Sequence, residues 1–133
     1  ITLDVEVDRE KVTSYLCDGL IVSTPTGSTG HSLSAGGPIL PPETRAFVVS
    51  VICPHTLSSR PLVVPDSSGI VVKVARSSGE PRLSVDGQTG RSLKDGDSLA
   101  VRRSARSVRF IHLPGYSYFG VLRQKLHWRG SSM

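Results

Sequence analysis

The run Phe47-Val48-Val49-Ser50-Val51-Ile52 decides how this chain folds, because it combines an aromatic residue with four β-branched ones. A short apolar run of this composition is typical of a β-strand. Its apolar residues are not separated by regular polar ones, so both faces of the strand are expected to be buried.

Shorter strand candidates lie on both sides of this run. The opening residues Ile1, Leu3, Val5 and Val7 alternate with polar residues, which is the period of a half-buried strand. Segments rich in Gly, Ser and Asp separate the others, which span residues 20–22, 62–64, 70–75, 82–85, 98–103 and 108–113. Many short strands at this spacing indicate a mainly β protein, a sandwich or a barrel.

Two segments interrupt the strand pattern and predict one or two short helices. Residues 28–35 lie in a glycine-rich stretch that is expected to pass through a short helical turn. Near the end, Phe119, Leu122 and Leu126 are at helical spacing, with basic residues between them facing outward. We expect this second helix to lie on the sheet.

The length of 133 residues suits one domain over residues 1–133. The start resembles no signal peptide and lacks an initiator Met, so we expect a fragment of a longer protein. No apolar run approaches the ~20 residues that cross a bilayer, so no membrane partner is expected.

Cys17 and Cys53 form no Cys-x-x-Cys pair, and the four histidines show no metal-binding spacing. We therefore expect no metal site and two reduced, buried thiols in a cytoplasmic protein, although a disulfide stays open.

The net charge of +5 comes largely from arginines and lysines after residue 101. Such a balance suits polyanions, but 5% aromatic residues are too few for the stacking surfaces of single-strand nucleic-acid binders. Discrete phosphates are therefore a better expectation than nucleic acid, and a solvated basic face without a partner is the alternative.

The glycine-rich stretch carries the chemistry. It reads Asp18-Gly-Leu-Ile-Val-Ser-Thr-Pro-Thr-Gly-Ser-Thr-Gly-His-Ser-Leu-Ser-Ala-Gly-Gly-Pro38, so a strand enters a loop of small and hydroxyl residues. Glycines let a backbone approach a ligand closely, and hydroxyls donate and accept hydrogen bonds to adenine or ribose. The Walker A lysine and the Gly-x-Gly-x-x-Gly pattern are both absent from the sequence. The loop therefore predicts a nucleotide cradle of another kind, or else an ordinary polar connection.

This stretch resembles the signature of NAD kinases. Three further blocks follow in the order that this family uses, at residues 52–62, 83–88 and 118–126. The resemblance implies the β-sandwich of the family's C-terminal, NAD-binding domain. It also implies transfer of a phosphoryl group from ATP or polyphosphate to the adenosine 2′-hydroxyl of NAD, with Mg²⁺ or another divalent ion, giving NADP.

The same resemblance assigns binding residues. Asp18 matches an aspartate that contacts the dinucleotide, often across a subunit boundary, and the hydroxyls matching the adenosine side are Thr24, Ser28, Thr29 and Ser34. Local capping and turn formation are the alternative for these hydroxyls, and a turn is the alternative for Asp18.

Gly30 and His31 depart from the family pattern, which has Ala and a stacking Tyr at these positions. They are still expected beside the NAD, where an imidazole stacks with less area than a phenol ring.

The later blocks supply residues expected at the rim or near phosphates, namely His55, Ser58, Arg60 and Asp86, with Gln88 expected to contact NAD. Arg60 could equally brace its own loop, and Asp86-Gly87 is also a typical hairpin turn.

The family's catalytic base lies in a Gly-Gly-Asp-Gly-Thr motif of the N-terminal domain, and an upstream Asn-Glu pair also binds the ligand. This sequence contains neither motif, so no catalytic residue is assigned to it and the chain alone is expected to be inactive. The family further implies the chain's own N-terminal domain as a partner and a homodimer or homotetramer. The alternatives are a fold-related lipid kinase of the diacylglycerol or sphingosine type, and a non-catalytic nucleotide-binding module.

Overall fold

The computed structural model describes residues 1–130 and divides into two compact units, residues 1–103 and the segment from Ser104 onward. The first unit holds the strands of the described chain, a 3-10 turn at Thr26–Thr29 and the single-turn helix α1 (His31–Ser34). Its strands are β1 (Thr2–Val7), β2 (Glu10–Leu16), β3 (Gly19–Ser23), β4 (Ala46–Ile52), β5 (Leu62–Pro65), β6 (Ile70–Arg76), β7 (Arg82–Val85), β8 (Thr89–Ser92) and β9 (Ser98–Val101).

These strands form antiparallel sheets with a common core. One sheet has the order β2-β1-β6-β9, a second has the order β3-β4-β5, and β7 and β8 form a hairpin. Apolar side chains from both larger sheets meet in one cluster, in which Val5 and Ile70 of the first sheet join Phe47 and Val49 of the second. The predicted mainly β fold is therefore confirmed, with two facing sheets around one core.

Strand β4 is buried on both faces, as its sequence predicts. Phe47, Val49 and Val51 belong to the core cluster. Because side chains alternate along a strand, Val48 and Ser50 point to the opposite face, and both are nevertheless fully buried. A further layer must cover that outer face.

Most of the predicted strands are confirmed, but two strands of the structure were not predicted. Strand β2 begins with Glu10-Lys11 and is largely exposed, so it lacks the apolar alternation that marks a half-buried strand. Strand β8 consists of Thr-Gly-Arg-Ser, and it forms because the preceding turn returns the chain alongside β7.

The second unit contains the helix α2 (Tyr118–Lys125) and no strand among its described residues. The strand predicted over residues 108–113 is wrong, because a strand needs a neighbour to complete its hydrogen bonds and no described strand pairs with it. Helix α2 is confirmed, and the Ser117 hydroxyl caps it by accepting a hydrogen bond from the Gly120 amide at 3.1 Å. Leu122 is its buried residue, whereas Phe119, expected to face inward, is exposed.

Residues 1–130 include no helix that is long and apolar enough to cross a membrane.

The turn between β1 and β2 is held by a carboxylate. Asp8 and Arg9 both have positive φ angles, and the Asp8 side chain accepts a hydrogen bond from the Gly69 amide at 2.9 Å. This bond, with a second from the Ser68 side chain, holds the pKa of the Asp8 carboxyl below its usual value. The ionised carboxylate therefore stabilises the contact between this turn and the β5–β6 turn.

Because the pKa of Asp8 is lowered in the folded protein, the free energy of unfolding should decrease slightly in acid. Because the folded pKa is the lower one, the Asp8 contribution is complete above the unfolded pKa of about 4 and disappears as pH falls through the folded value. The variant Asp8→Asn keeps a residue that tolerates positive φ and cannot ionise. Wild type should unfold at higher urea concentration than Asp8→Asn at pH 7, and the two midpoints should converge as the pH falls through the folded pKa of Asp8. A difference independent of pH would contradict this assignment.

Candidate functional site

The glycine-rich loop leaves β3 and immediately turns on itself. The Thr24 hydroxyl accepts a hydrogen bond from the Gly27 amide at 3.2 Å, while the Gly30 amide donates to the Gly27 carbonyl at 2.9 Å. The 3-10 turn and α1 therefore follow one another with a break only at Gly30, as predicted for residues 28–35.

Ser28 fastens the two ends of this loop together. Its side chain is fully buried, and its hydroxyl donates to the Pro25 carbonyl at 2.6 Å and accepts from the Leu40 amide at 3.0 Å. These bonds occupy the hydroxyl with protein atoms. Its predicted contact with adenosine stays a prediction, and the structure gives it a bracing role that sequence reasoning offered only as the alternative.

The glycine pair after α1 ends the helix. Gly36 has a φ of +82°, the Gly36 amide donates to the Leu33 carbonyl at 2.9 Å, and the Gly37 amide donates to the Ser32 carbonyl at 2.8 Å. This is the Schellman pattern of helix termination, in which the residue with positive φ is usually glycine.

Gly37 is required for a different reason, which is space. A Cβ atom at this position would lie 2.4 Å from the Ser32 hydroxyl oxygen and 2.7 Å from that of Ser50. The two hydroxyls are 3.0 Å apart and buried, Ser32 on α1 and Ser50 on the outer face of β4. The loop is therefore the layer that covers this face of β4.

The remaining polar residues of the loop are exposed. They are the predicted site residues Thr24, Thr29, His31 and Ser34, together with Thr26, which sequence reasoning did not select. The predicted site residue Gly30 is exposed as well. A rigid backbone thus presents hydroxyls and one imidazole to solvent within a short stretch. Donors and acceptors of this kind suit the edges of a purine and the hydroxyls of a ribose.

A second group of predicted residues lies at the other end of the β3–β4 pair. Asp18 precedes β3 and is exposed, and its amide donates to the Ile52 carbonyl at 2.9 Å. The segment after β4 carries the exposed residues His55, Ser58 and Arg60, and the His55 amide donates to the Leu16 carbonyl at 2.9 Å. The Arg60 guanidinium donates to the adjacent Ser59 carbonyl at 2.8 Å, as expected of a residue that braces its own loop.

These two groups are far apart within one chain. The five residues of β3 separate Asp18 from Thr24, and the six steps of extended backbone between the two correspond to about 20 Å. The structure therefore brings Asp18 close to the His55 segment and does not bring it to the hydroxyls of the glycine-rich loop.

Asp86 and Gln88 lie at the tip of the β7–β8 hairpin, and both are exposed. Asp86 and Gly87 have φ angles of +52° and +69°, and the Gln88 amide donates to the Val85 carbonyl at 3.0 Å. Positive φ at both central positions is the I′ geometry of a tight hairpin, so the turn interpretation is confirmed, and a ligand role stays a prediction.

The two cysteines differ from each other. Cys17 is buried as expected, and burial raises the pKa of its thiol, which keeps it protonated at neutral pH. The expectation of a buried Cys53 is wrong: it lies at the exposed end of β4, with a φ of +47°. Within residues 1–130, no group of three His, Cys, Asp or Glu side chains is placed to hold a metal ion.

Residues 1–113 match the family described as the ATP-NAD kinase C-terminal domain. The chain belongs to this family. Similar proteins include the NAD kinase of Magnetococcus marinus, 48% identical over 93% of this chain and 41% of that protein. The NAD kinase of Geobacter sulfurreducens is 47% identical over 96% of this chain and 45% of that protein. The chain thus spans less than half the length of these relatives.

Solved structures of the family share the fold. The yeast NADH kinase complexed with NADH superposes with a TM-score of 0.72 at 44% identity, over 76% of this chain and 29% of that one. The Archaeoglobus fulgidus NAD kinase in complex with ATP gives 0.71 at 32% identity, over 79% of this chain and 40% of that one. These comparisons confirm the predicted membership and fold.

The packing around Gly37 predicts a sharp difference between two glycines. Gly37→Ala forces a methyl group against two buried hydroxyls and should lower the free energy of unfolding by about 1–3 kcal/mol. Gly79→Ala is the matched control, because a Cβ there meets nothing within 4 Å and its φ is not positive, so its effect should stay within about 0.5 kcal/mol. Urea denaturation measures both. Equal stability of the two variants would contradict the close packing.

Proposed function

We propose that this chain is the dinucleotide-binding part of an NAD kinase, which phosphorylates the adenosine 2′-hydroxyl of NAD with ATP or polyphosphate as donor. The observation that carries the proposal is the loop of residues 24–40, which internal hydrogen bonds hold in shape. Its exposed hydroxyls and imidazole belong to the stretch of sequence that resembles the family signature. The yeast relative crystallised with NADH and the archaeal relative crystallised with ATP support the same ligand classes.

The contribution of this chain is binding and orientation. Thr24, Thr29 and Ser34 offer hydroxyls to the adenosine, and His31 offers a ring that stacks on the base. In the reaction, the 2′-oxygen forms a bond to phosphorus, the bond from phosphorus to the leaving phosphate breaks, and a base accepts the hydroxyl proton. We assign that base to a part of the protein outside this chain.

A divalent ion screens the phosphates in such transfers, and Mg²⁺ is usually held by one or two carboxylates together with the phosphates of the substrate. The steps assigned to this chain are carried by its own side chains. The thiols Cys17 and Cys53, both free, fit the reducing cytoplasm.

The purified chain should form no NADP from NAD and ATP or polyphosphate with Mg²⁺. Joined to the N-terminal portion of the Magnetococcus marinus relative, it should phosphorylate NAD. Product analysis by thin-layer chromatography should show no transfer to diacylglycerol or sphingosine. NADP formation by the chain alone would place the base within these residues, and transfer to a lipid would overturn the proposed acceptor.

We further propose that the protein is a homodimer or homotetramer in which Asp18 of one subunit completes the site on the loop of another. The support is the separation of about 20 Å between Asp18 and Thr24, which lie beyond the opposite ends of the extended strand β3. A closed symmetric assembly provides such pairs of sites.

Mixing variants of the joined protein tests this arrangement. Asp18→Ala and Ser34→Ala should each lose activity. A hybrid dimer with one subunit of each variant has one intact site, because the native Asp18 of the Ser34→Ala subunit meets the native loop of the Asp18→Ala subunit. Random pairing into dimers predicts recovery of about one quarter of wild-type activity. The control mixes Thr29→Ala with Ser34→Ala, which leave no intact loop and should give no recovery. Hybrids detected by differential tags but inactive would place Asp18 and the loop in one subunit's site, whereas an Asp18→Ala variant that keeps its activity would place Asp18 outside the site.

A further inference from the structure

The serines of the glycine-rich loop do not all face the same way. Ser28 and Ser32 are 0% and 1% exposed, whereas Ser34, two residues later, is exposed. Every buried side-chain nitrogen or oxygen in the described part of the chain has a hydrogen-bond partner, so these inward hydroxyls are satisfied by protein atoms. They therefore have a function in holding the loop.

The partner of Ser32 determines where α1 sits. The Ser32 and Ser50 hydroxyls are 3.0 Å apart, and Ser50 is 0% exposed on the outer face of β4, between Val49 and Val51 of the core. Strand β4 is the central strand of its sheet, and Ser50 pairs with Ile21 of β3, so the sheet holds Ser50 in place. A bond to it sets both the height and the rotation of the single turn α1.

The surroundings leave the pair no second arrangement. The Ser32 carbonyl accepts the Gly37 amide at 2.8 Å, and any Cβ at Gly37 would overlap both hydroxyls. In a close-packed interior such a contact has one geometry and does not slide. His31 lies next to Ser32, and Ser34 is in the same turn.

We propose that the Ser32–Ser50 hydroxyl pair is a positioning contact, which sets how His31 and Ser34 are presented to the adenosine of the dinucleotide. This inference rests on the proposed function, and it assigns to Ser32 and Ser50 a role in affinity without contact to the ligand. An alanine at either position leaves the other hydroxyl buried without this partner, which favours a shifted loop.

The test compares four variants of the full chain, Ser32→Ala, Ser50→Ala, the double variant and Ser68→Ala. Ser68 is a buried serine of the β5–β6 turn, so it controls for a general loss of stability. Titration calorimetry with NAD, well below each melting temperature, should show Kd raised about three- to tenfold by either loop-pair variant, the effect of one hydrogen bond. The Kd of the double variant for NAD should not exceed that of the single variant that binds NAD less tightly. Ser68→Ala should bind NAD like wild type.

Hydrogen exchange separates this proposal from the proposed function. Amides of residues 30–37 should exchange faster in Ser32→Ala and Ser50→Ala, and amides of β1 and β6 should not. If wild type binds no NAD even when joined to the N-terminal portion of the Magnetococcus marinus relative, the proposed function fails, and the exchange pattern alone decides whether the serine pair holds the loop. An unchanged Kd in the folded variants, an equal loss in Ser68→Ala, or unchanged exchange at residues 30–37 would overturn it. Should Ser50→Ala fail to fold, Ser32→Ala carries the same comparison.

Discussion

The structure depends on the burial of both faces of strand β4. One face gives Phe47, Val49 and Val51 to the core between the sheets, and the other gives Val48 and Ser50 to the layer formed by the glycine-rich loop. Burial on both faces removes a large apolar area from water. The same burial means that the loop cannot shift without exposing β4, so the fold of the body and the shape of the site are coupled.

The loop resolves a conflict between polarity and burial. A stretch of hydroxyl residues that covers a strand must bury some of them, and a buried hydroxyl without a partner is costly. Ser28 bonds to backbone groups at both ends of the loop, and Ser32 bonds to Ser50, so these costs are offset within the protein. The hydroxyls that remain exposed are then free to meet a ligand. The signature run is in this sense two interleaved sets of residues, one structural and one available for binding.

Much of the architecture could be predicted from periodicity, and the failures have physical causes. Strand β1 alternates and strand β4 does not, and each is buried as its pattern predicts. Residues 108–113 have the composition of a strand but not its neighbour, and a sequence pattern carries no information about whether hydrogen-bond partners are present. Strand β8 shows the reverse. Its residues have poor strand propensity, but the turn at Asp86-Gly87 brings them beside β7, which completes their hydrogen bonds. For the candidate site, the family resemblance pointed to the loop. It could not tell which serine faces inward, because Ser suits both environments.

The unpaired segment that carries Val108, Phe110, Ile111 and Leu113 has a consequence for anyone who handles the protein. All four side chains are exposed, Arg109 lies among them and Arg106 lies two residues before the first. The guanidinium charges repel like molecules at low ionic strength, whereas salt shortens the range of that repulsion and leaves the apolar attraction in place. This short stretch of chain is therefore expected to make the tendency of the protein to associate increase with salt concentration.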